Sequence, residues 1–470
     1  MYIGKSDEIS RRAFLKRSGK LAVAGAASSY AMGLAGIGEA AAFNSDASYK
    51  ALVCVFLHGG NDYANTLIPF DGANYSRYSS IRGSRVAIPQ SKLAATLLHN
   101  PEDQVLTDGI TYSLAPTMPR LKSRFDQGKL APLMNVGPLE APLTKAQYEG
   151  GNTPRPAFLF SHNDQQSTWQ SSKPEGAKTG WGGRMADLAQ TSNTNSMFTA
   201  MSVAGNGIFL QGDDAVPYRI STRGAPQFAG LQYGRVYDSP QASNALERLL
   251  TMSDGHVLKS DYANVNARSI EYGAFINNVL QGGSVSTDFG TGNELAEQLS
   301  MVAQLIAARD RLGVKRQIFL VSMGGFDSHS GLTGSHDALL GQLDFAMDAF
   351  YRATLELGVS DQVTTFTASD FGRTLSVNGD GSDHGWGGHH FILGGAVRGG
   401  RFYGKAPHVS LTSDDQVGRG RLLPTTSVDE YSATLARWFG ISELELPSVS
   451  PNIGRFAQPD LGFMETPELS

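Results

Sequence analysis

Three aspartates and two histidines stand where a folded chain could deliver them to one place. Asp62 follows the apolar run ending at Leu57, Asp327 follows the one ending at Val321, and Asp370 follows the one ending at Ala368. In an open parallel sheet, ligands bind outside the carboxyl ends of the strands. His329 lies two residues beyond Asp327, on the same side of an extended segment, and His384 sits in Ser382-Asp383-His384-Gly385-Trp386. Carboxylate and imidazole donors without thiolate suit a divalent metal such as Zn, Mn or Mg. Each residue also has an ordinary structural use. An Asp after a strand caps helices and turns, Asp370 has Arg373 nearby to pair with, and His329 lies between two serines. His389 and His390 point oppositely if extended, so at most one faces such a site. His58, His99, His256 and His408 read as structural.

A second constellation is Phe160-Ser161-His162-Asn163-Asp164-Gln165-Gln166, followed by Gly180-Trp181-Gly182-Gly183-Arg184. Ser161 at the opening of a helix is a candidate nucleophile, because free N–H groups behind it favour developing negative charge. Simple N-capping by Ser161 or Asn163 is the competing reading. Arg373 or Arg184 is the candidate for holding an anion bidentately.

The elements that must position these residues are partly legible. Tyr49–Leu57 is a continuous apolar run, as expected of a strand buried on both faces. Leu130–Val136, Gln317–Val321 and Val363–Ala368 read as further buried strands, and Ala157–Ser161 as a short one running into a helix from Asp164. Phe198–Ala204 is a short β-like run. Glu294–Leu312 carries Leu295, Leu299, Val302, Leu305 and Ile306 on one stripe, and Asp337–Leu357 carries Leu340, Leu343, Met347, Phe350 and Ala353. Strand, helix, strand over 317–368 predicts two parallel strands. Ser427-Val428-Asp429-Glu430 is a capping box opening a helix through Phe439. The fold class expected is α/β, with a mostly parallel central sheet flanked by helices, in one domain over 48–465.

Composition bounds the function. The 470 residues are 41% hydrophobic and 18% charged, which excludes a disordered or coiled-coil chain. A net charge of −5 argues against a general nucleic-acid binder. The single cysteine, Cys54, excludes an internal disulfide framework and any CxxC site. No G-x-S-x-G occurs, against that class of serine hydrolase.

The N-terminus reads as an address. Ser10-Arg11-Arg12-Ala13-Phe14-Leu15-Lys16 precedes a weakly apolar Ala/Gly-rich stretch over 21–37, and Ala40-Ala41-Ala42 offers a small-residue cleavage site. This is the pattern of a bacterial twin-arginine export signal over 1–42. It makes the export machinery a partner and the mature chain periplasmic or secreted. No later apolar run is long enough for a stable membrane span.

Taken together, the segments Phe56-Leu-His-Gly-Gly-Asn-Asp62, Ser161-His-Asn-Asp-Gln-Gln166, Gly180-Trp-Gly-Gly-Arg184, Gly324-Gly-Phe-Asp-Ser-His329, Ser369-Asp-Phe-Gly-Arg-Thr374, Asp383-His-Gly-Trp386 and Pro424-Thr-Thr-Ser-Val-Asp-Glu430 resemble the DUF1501 family of exported bacterial proteins. That family is placed near the alkaline phosphatase–sulfatase superfamily. The resemblance implies an alkaline phosphatase-like fold. By order along the chain, it implies a metal site of Asp62, Asp327, His329, Asp370 and His384, with the nucleophile near Ser161. Phe371 departs from it, standing where the superfamily has a metal-binding His, and one residue separates Asp327 from His329 instead of three. Cys-x-Pro-x-Arg is absent, which argues against a sulfatase with a converted cysteine. The expected function is metal-dependent hydrolysis or transfer of a small anionic phosphate or sulfate ester. The alternative is a non-catalytic binding or assembly protein on the same scaffold.

Overall fold

The computed structural model describes residues 48–465, except 226, 227, 229, 230, 232–235, 254, 255, 283 and 284. The export signal expected over 1–42 therefore lies outside the described residues. The main sheet has eight strands: β1 (Lys50–Leu57), β2 (Leu130–Gly137), β3 (Ala200–Ser202), β4 (Tyr218–Arg219), β5 (Arg316–Met323), β6 (Val363–Ser369), β7 (Gly388–Gly394) and β8 (Thr426–Ser427). Their spatial order is β8-β2-β7-β6-β1-β5-β3-β4. Every neighbouring pair is parallel except those made by β7, which runs against both β6 and β2.

The alternation of side chains along a strand divides β1 between two apolar layers. Ala51, Val53, Val55 and Leu57 enter one, while Leu52, Cys54 and Phe56 enter the other. On the first face lie the helices α5 (Glu294–Ala307) and α6 (Leu332–Glu356), with Leu295, Leu299, Leu340 and Met347 buried there. On the second lie α4 (Trp181–Ala189) and α7 (Val428–Phe439), the latter opened by the expected capping box at Ser427 and Glu430. The chain is thus α/β, its mostly parallel sheet covered by helices on both faces.

Two expectations about elements need correction. Residues 157–160 form consecutive turns rather than a strand, with Phe158 and Phe160 at φ 52° and 75°. The helix after them, α3 (His162–Ser171), starts two residues earlier than expected. β5 and β6 are parallel as read, but β1 lies between them. Among the described residues, no helix is long and apolar enough to cross a membrane.

Candidate metal centre

Because β1, β5 and β6 are parallel neighbours, the segments leaving them share one sheet edge. The turn after β1 is pressed against the turn after β5. A Cβ on Gly59 (φ +114°) would lie 2.3 Å from the Asp327 backbone nitrogen, so this crossing requires glycine. The Gly59 amide donates to Asp370 Oδ2 at 3.2 Å, drawing the exit of β6 into the same contact.

Asp327 is the centre of the arrangement. Its side chain is 46% exposed, and His329 Nε2, His384 Nε2 and His162 Nε2 approach its carboxylate at 3.1, 3.4 and 3.5 Å. The three imidazoles also meet one another. His384 Nε2 lies 2.9 Å from His329 Nε2 and 3.1 Å from His162 Nε2.

The far side of two rings fixes their protons. His384 Nδ1 lies 2.8 Å from the Phe160 carbonyl, and His162 Nδ1 lies 2.6 Å from Asp370 Oδ2. A carbonyl and a carboxylate can only accept, so both Nδ1 atoms donate and both Nε2 atoms carry lone pairs in the neutral rings. Two lone pairs facing each other at 3.1 Å repel unless a cation or proton lies between them. Imidazoles anchored through their other nitrogen by carboxylate or backbone carbonyl are the usual form of metal-ligating histidine. The donor set fits a divalent cation, with His162, Asp327 and His384 as its core and His329 alongside.

Electrostatics separates the two facing rings. The hydrogen bond that His162 donates to Asp370 raises the pKa of His162 above the ordinary imidazole value, whereas burial lowers that of His384, helped by the neighbouring His162. Partial burial opposes the charge on Asp327, but Arg373 outweighs it, with His162 and His329 adding to the effect, and the carboxyl falls below its usual range.

The remaining sequence candidates fall around this core. Asp370 faces His162 and Gln166 (2.9 Å) rather than the cluster itself, and is wholly buried. Asp62 is not brought in: its buried carboxylate is paired with the equally buried Arg82. Arg373 is also fully buried. It donates to Asp327 at 2.7 Å, to the Gly59 carbonyl at 3.2 Å, and to the Oγ and backbone oxygen of Ser382. With its nitrogens so engaged, it positions Asp327 rather than gripping a substrate anion. Arg184 is similarly tied to the backbone oxygens of Ser171, Thr179 and Val449. Ser161 is the N-cap residue of α3, yet its hydroxyl caps no backbone N–H and instead donates to Asp164 Oδ2 at 2.9 Å.

His162 is a donor that the sequence does not single out, since it lies within the candidate nucleophile segment. The available signal was its spacing from Gln166. Residues four apart share one face of a helix, and both reach Asp370. A cleft of about 890 Å³ lies apart from the cluster, lined by Arg77, Asp108, Lys405, His408 and Asp415 among others. There His408 pairs with Asp108 at 2.7 Å.

Residues 49–442 match the family model described as Protein of unknown function (DUF1501). The chain belongs to that family. Among solved structures, this DUF1501 protein is similar to the soluble domain of lipooligosaccharide phosphoethanolamine transferase A from Neisseria meningitidis. That likeness has 10% identity and a TM-score of 0.34, covering 87% of this chain and 94% of that one. A structure concerned with glycosaminoglycan metabolism by Bacteroides thetaiotaomicron is similar at 11% identity and a TM-score of 0.33, covering 84% of this chain and 73% of that one. A substituted alkaline phosphatase is similar at 11% identity and a TM-score of 0.24, covering 70% and 64%. No curated protein matches the chain.

Proposed function

We propose that this DUF1501 protein is an exported hydrolase or transferase that uses a divalent cation to act on a phosphate or sulfate ester. The observation carrying this reading is the meeting of three imidazole Nε2 atoms and the Asp327 carboxylate at one exposed point of the sheet edge. A cation bound there would polarise an ester oxygen and favour an ionised nucleophile.

The chain's own residues divide the remaining work. Asp370 and the Phe160 carbonyl orient His162 and His384, and Arg373 holds Asp327 in its rotamer. Ser161 directly precedes His162, with its proton already directed at Asp164. As nucleophile, its Oγ forms the new bond to phosphorus or sulfur as the bond to the alcohol breaks. The hydroxyl proton passes to Asp164 and then to the departing alkoxide.

The second reading, a binding or assembly protein, draws support from Phe371. Its ring packs 4.8 Å from His162 and 4.7 Å from His384, occupying with hydrocarbon a position beside the cluster where another donor could stand.

Metal analysis of protein purified without chelator tests the reading. One divalent cation per chain is expected in the wild type and its loss in His384→Ala, together with turnover of aryl phosphate or aryl sulfate that Ser161→Ala abolishes. A metal-free wild type overturns the proposal, and stoichiometric metal without turnover favours the binding reading. Export is part of the same proposal, with the twin-arginine machinery as partner. Arg11→Lys combined with Arg12→Lys is expected to retain the protein in the cytoplasmic fraction.

A further inference from the structure

An anion site needs a cation whose donors are not already spent, and the two arginines singled out from the sequence are spent. A third arginine, absent from the sequence reading, stands at the same place. Arg421 begins the second strand of a small hairpin formed by Gln416–Val417 and Arg421–Leu422. Its Nε donates to the backbone carbonyl of His384 at 3.0 Å, and its guanidinium lies 4.3 Å from the centre of the Phe160 ring. Both partners belong to the cluster's frame. His384 sends its ring into the cluster, while Phe160 accepts from that ring and precedes Ser161.

These contacts use one nitrogen and one face of the guanidinium. Among the described residues, no carboxylate lies within ion-pair distance of Arg421, and no hydrogen bond is recorded for Nη1 or Nη2. The side chain is only half-buried, so the free edge is reachable from solvent. The hairpin turn also confines the group. A Cβ on Gly418 (φ +59°) would come within 2.9 Å of Arg421 Nη1. A guanidinium fixed by stacking and by one hydrogen bond, with two parallel N–H donors left over, has the geometry that recognises a tetrahedral oxyanion bidentately.

We propose that Arg421 is the anion-recognition residue of this site, binding two non-bridging oxygens of a phosphate or sulfate group presented to the His162–Asp327–His384 cluster. This rests on the function proposed above and supplies what Arg373 and Arg184 do not. The charge is carried by an element outside the main sheet and held against the His384 carbonyl and the Phe160 ring. Substrate orientation is therefore set by the C-terminal hairpin.

The test is calorimetric titration of metal-loaded full-length mature protein with inorganic phosphate and, separately, inorganic sulfate. Metal content is measured first on every variant, so that a metal-free protein, which overturns the preceding proposal, is distinguished from a metal-loaded one that fails to bind anion. Arg421→Ala is expected to weaken binding of the preferred anion about 10- to 100-fold while bound metal stays at the wild-type level. Arg421→Lys keeps the charge and most of the stem but not the fork, and is expected to lose roughly half of that effect on a logarithmic scale. Gly418→Ala, which presses on Nη1 without removing the charge, should also weaken binding. Unchanged affinity in Arg421→Ala, or wild-type protein that binds neither anion, overturns the proposal. The stronger of the two titrations identifies the ester class.

Discussion

Two Asp–Arg pairs follow strands at the same edge of the sheet, and they differ in everything except composition. Asp62 and Arg82 are both buried, their charges removed from water together. In the other pair Arg373 is equally buried, but Asp327 is nearly half exposed and ringed by three imidazoles. Sequence position after a strand is identical in kind for both acids. What makes one a candidate ligand is an open side from which a cation can reach it and neighbours that donate lone pairs. The other has neither, and serves the packing beneath the site.

Exchanging the roles of these pairs should fail in opposite ways. Asp62→Ala leaves the Arg82 charge buried without a carboxylate, held only by the Thr374 and Leu375 carbonyls, a defect on the order of 3–5 kcal/mol. Urea unfolding should record that loss, while refolded protein keeps its bound metal. Asp327→Ala should reverse the pattern: the loss of bound metal is complete by mass spectrometry, yet stability in excess chelator falls by only about 1–2 kcal/mol. The difference lies in exposure: solvent already screens the Asp327 carboxylate, whereas that of Asp62 is buried. Equal stability losses in the two variants would erase the distinction between the pairs.

A smaller effect is expected one step from the cluster. Asp370→Asn replaces the carboxylate that orients His162, and the affinity for metal should drop about 10- to 100-fold without being abolished. A competitive chelator titration measures it. No change at all would mean that His162 is held by α3 alone.

The last effect concerns protons and appears only on acidification. His336 belongs to the buried side, its Nε2 2.9 Å from Asn61 Oδ1, and burial lowers its pKa from 6.5 to about 4. A depressed folded-state pKa means that the unfolded chain binds the proton first. Stability is therefore complete above about pH 6.5 and declines as the pH falls toward 4. That single group contributes a slope of about 1.4 kcal/mol per pH unit within this window. His336→Asn should flatten the acid limb of the unfolding midpoint by that amount.

The contrast between the pairs also explains what could be read from the chain. β1, β5 and β6 were legible to within one or two residues, because strands buried on both faces must be apolar throughout. The inward stripes of α5 and α6 were legible because one helical face has one environment. β7 was not recognised: Gly388-His389-His390 opens it, and two buried histidines look polar in a sequence. The turns at 157–160 were mistaken for a strand because positive φ at Phe158 and Phe160 leaves no mark in residue type. Within the site, Asp327, His329 and His384 could be proposed from spacing alone. The exclusion of Asp62 could not, since Arg82 lies on a separate helix (Gly72–Val86) whose approach is a matter of tertiary packing.

The donors of the cluster come from widely separated parts of the chain, with His162 and His384 lying 222 positions apart. During synthesis, at roughly 5–20 residues per second, a chain that has not passed His384 holds at most two of the three imidazoles. The strand that follows is not finished until Gly394. If the cluster holds a cation as proposed, its capture therefore comes late in the life of the nascent chain. A ribosome stalled before this point should carry a product that cannot compete for metal, however much of the sheet it has already formed.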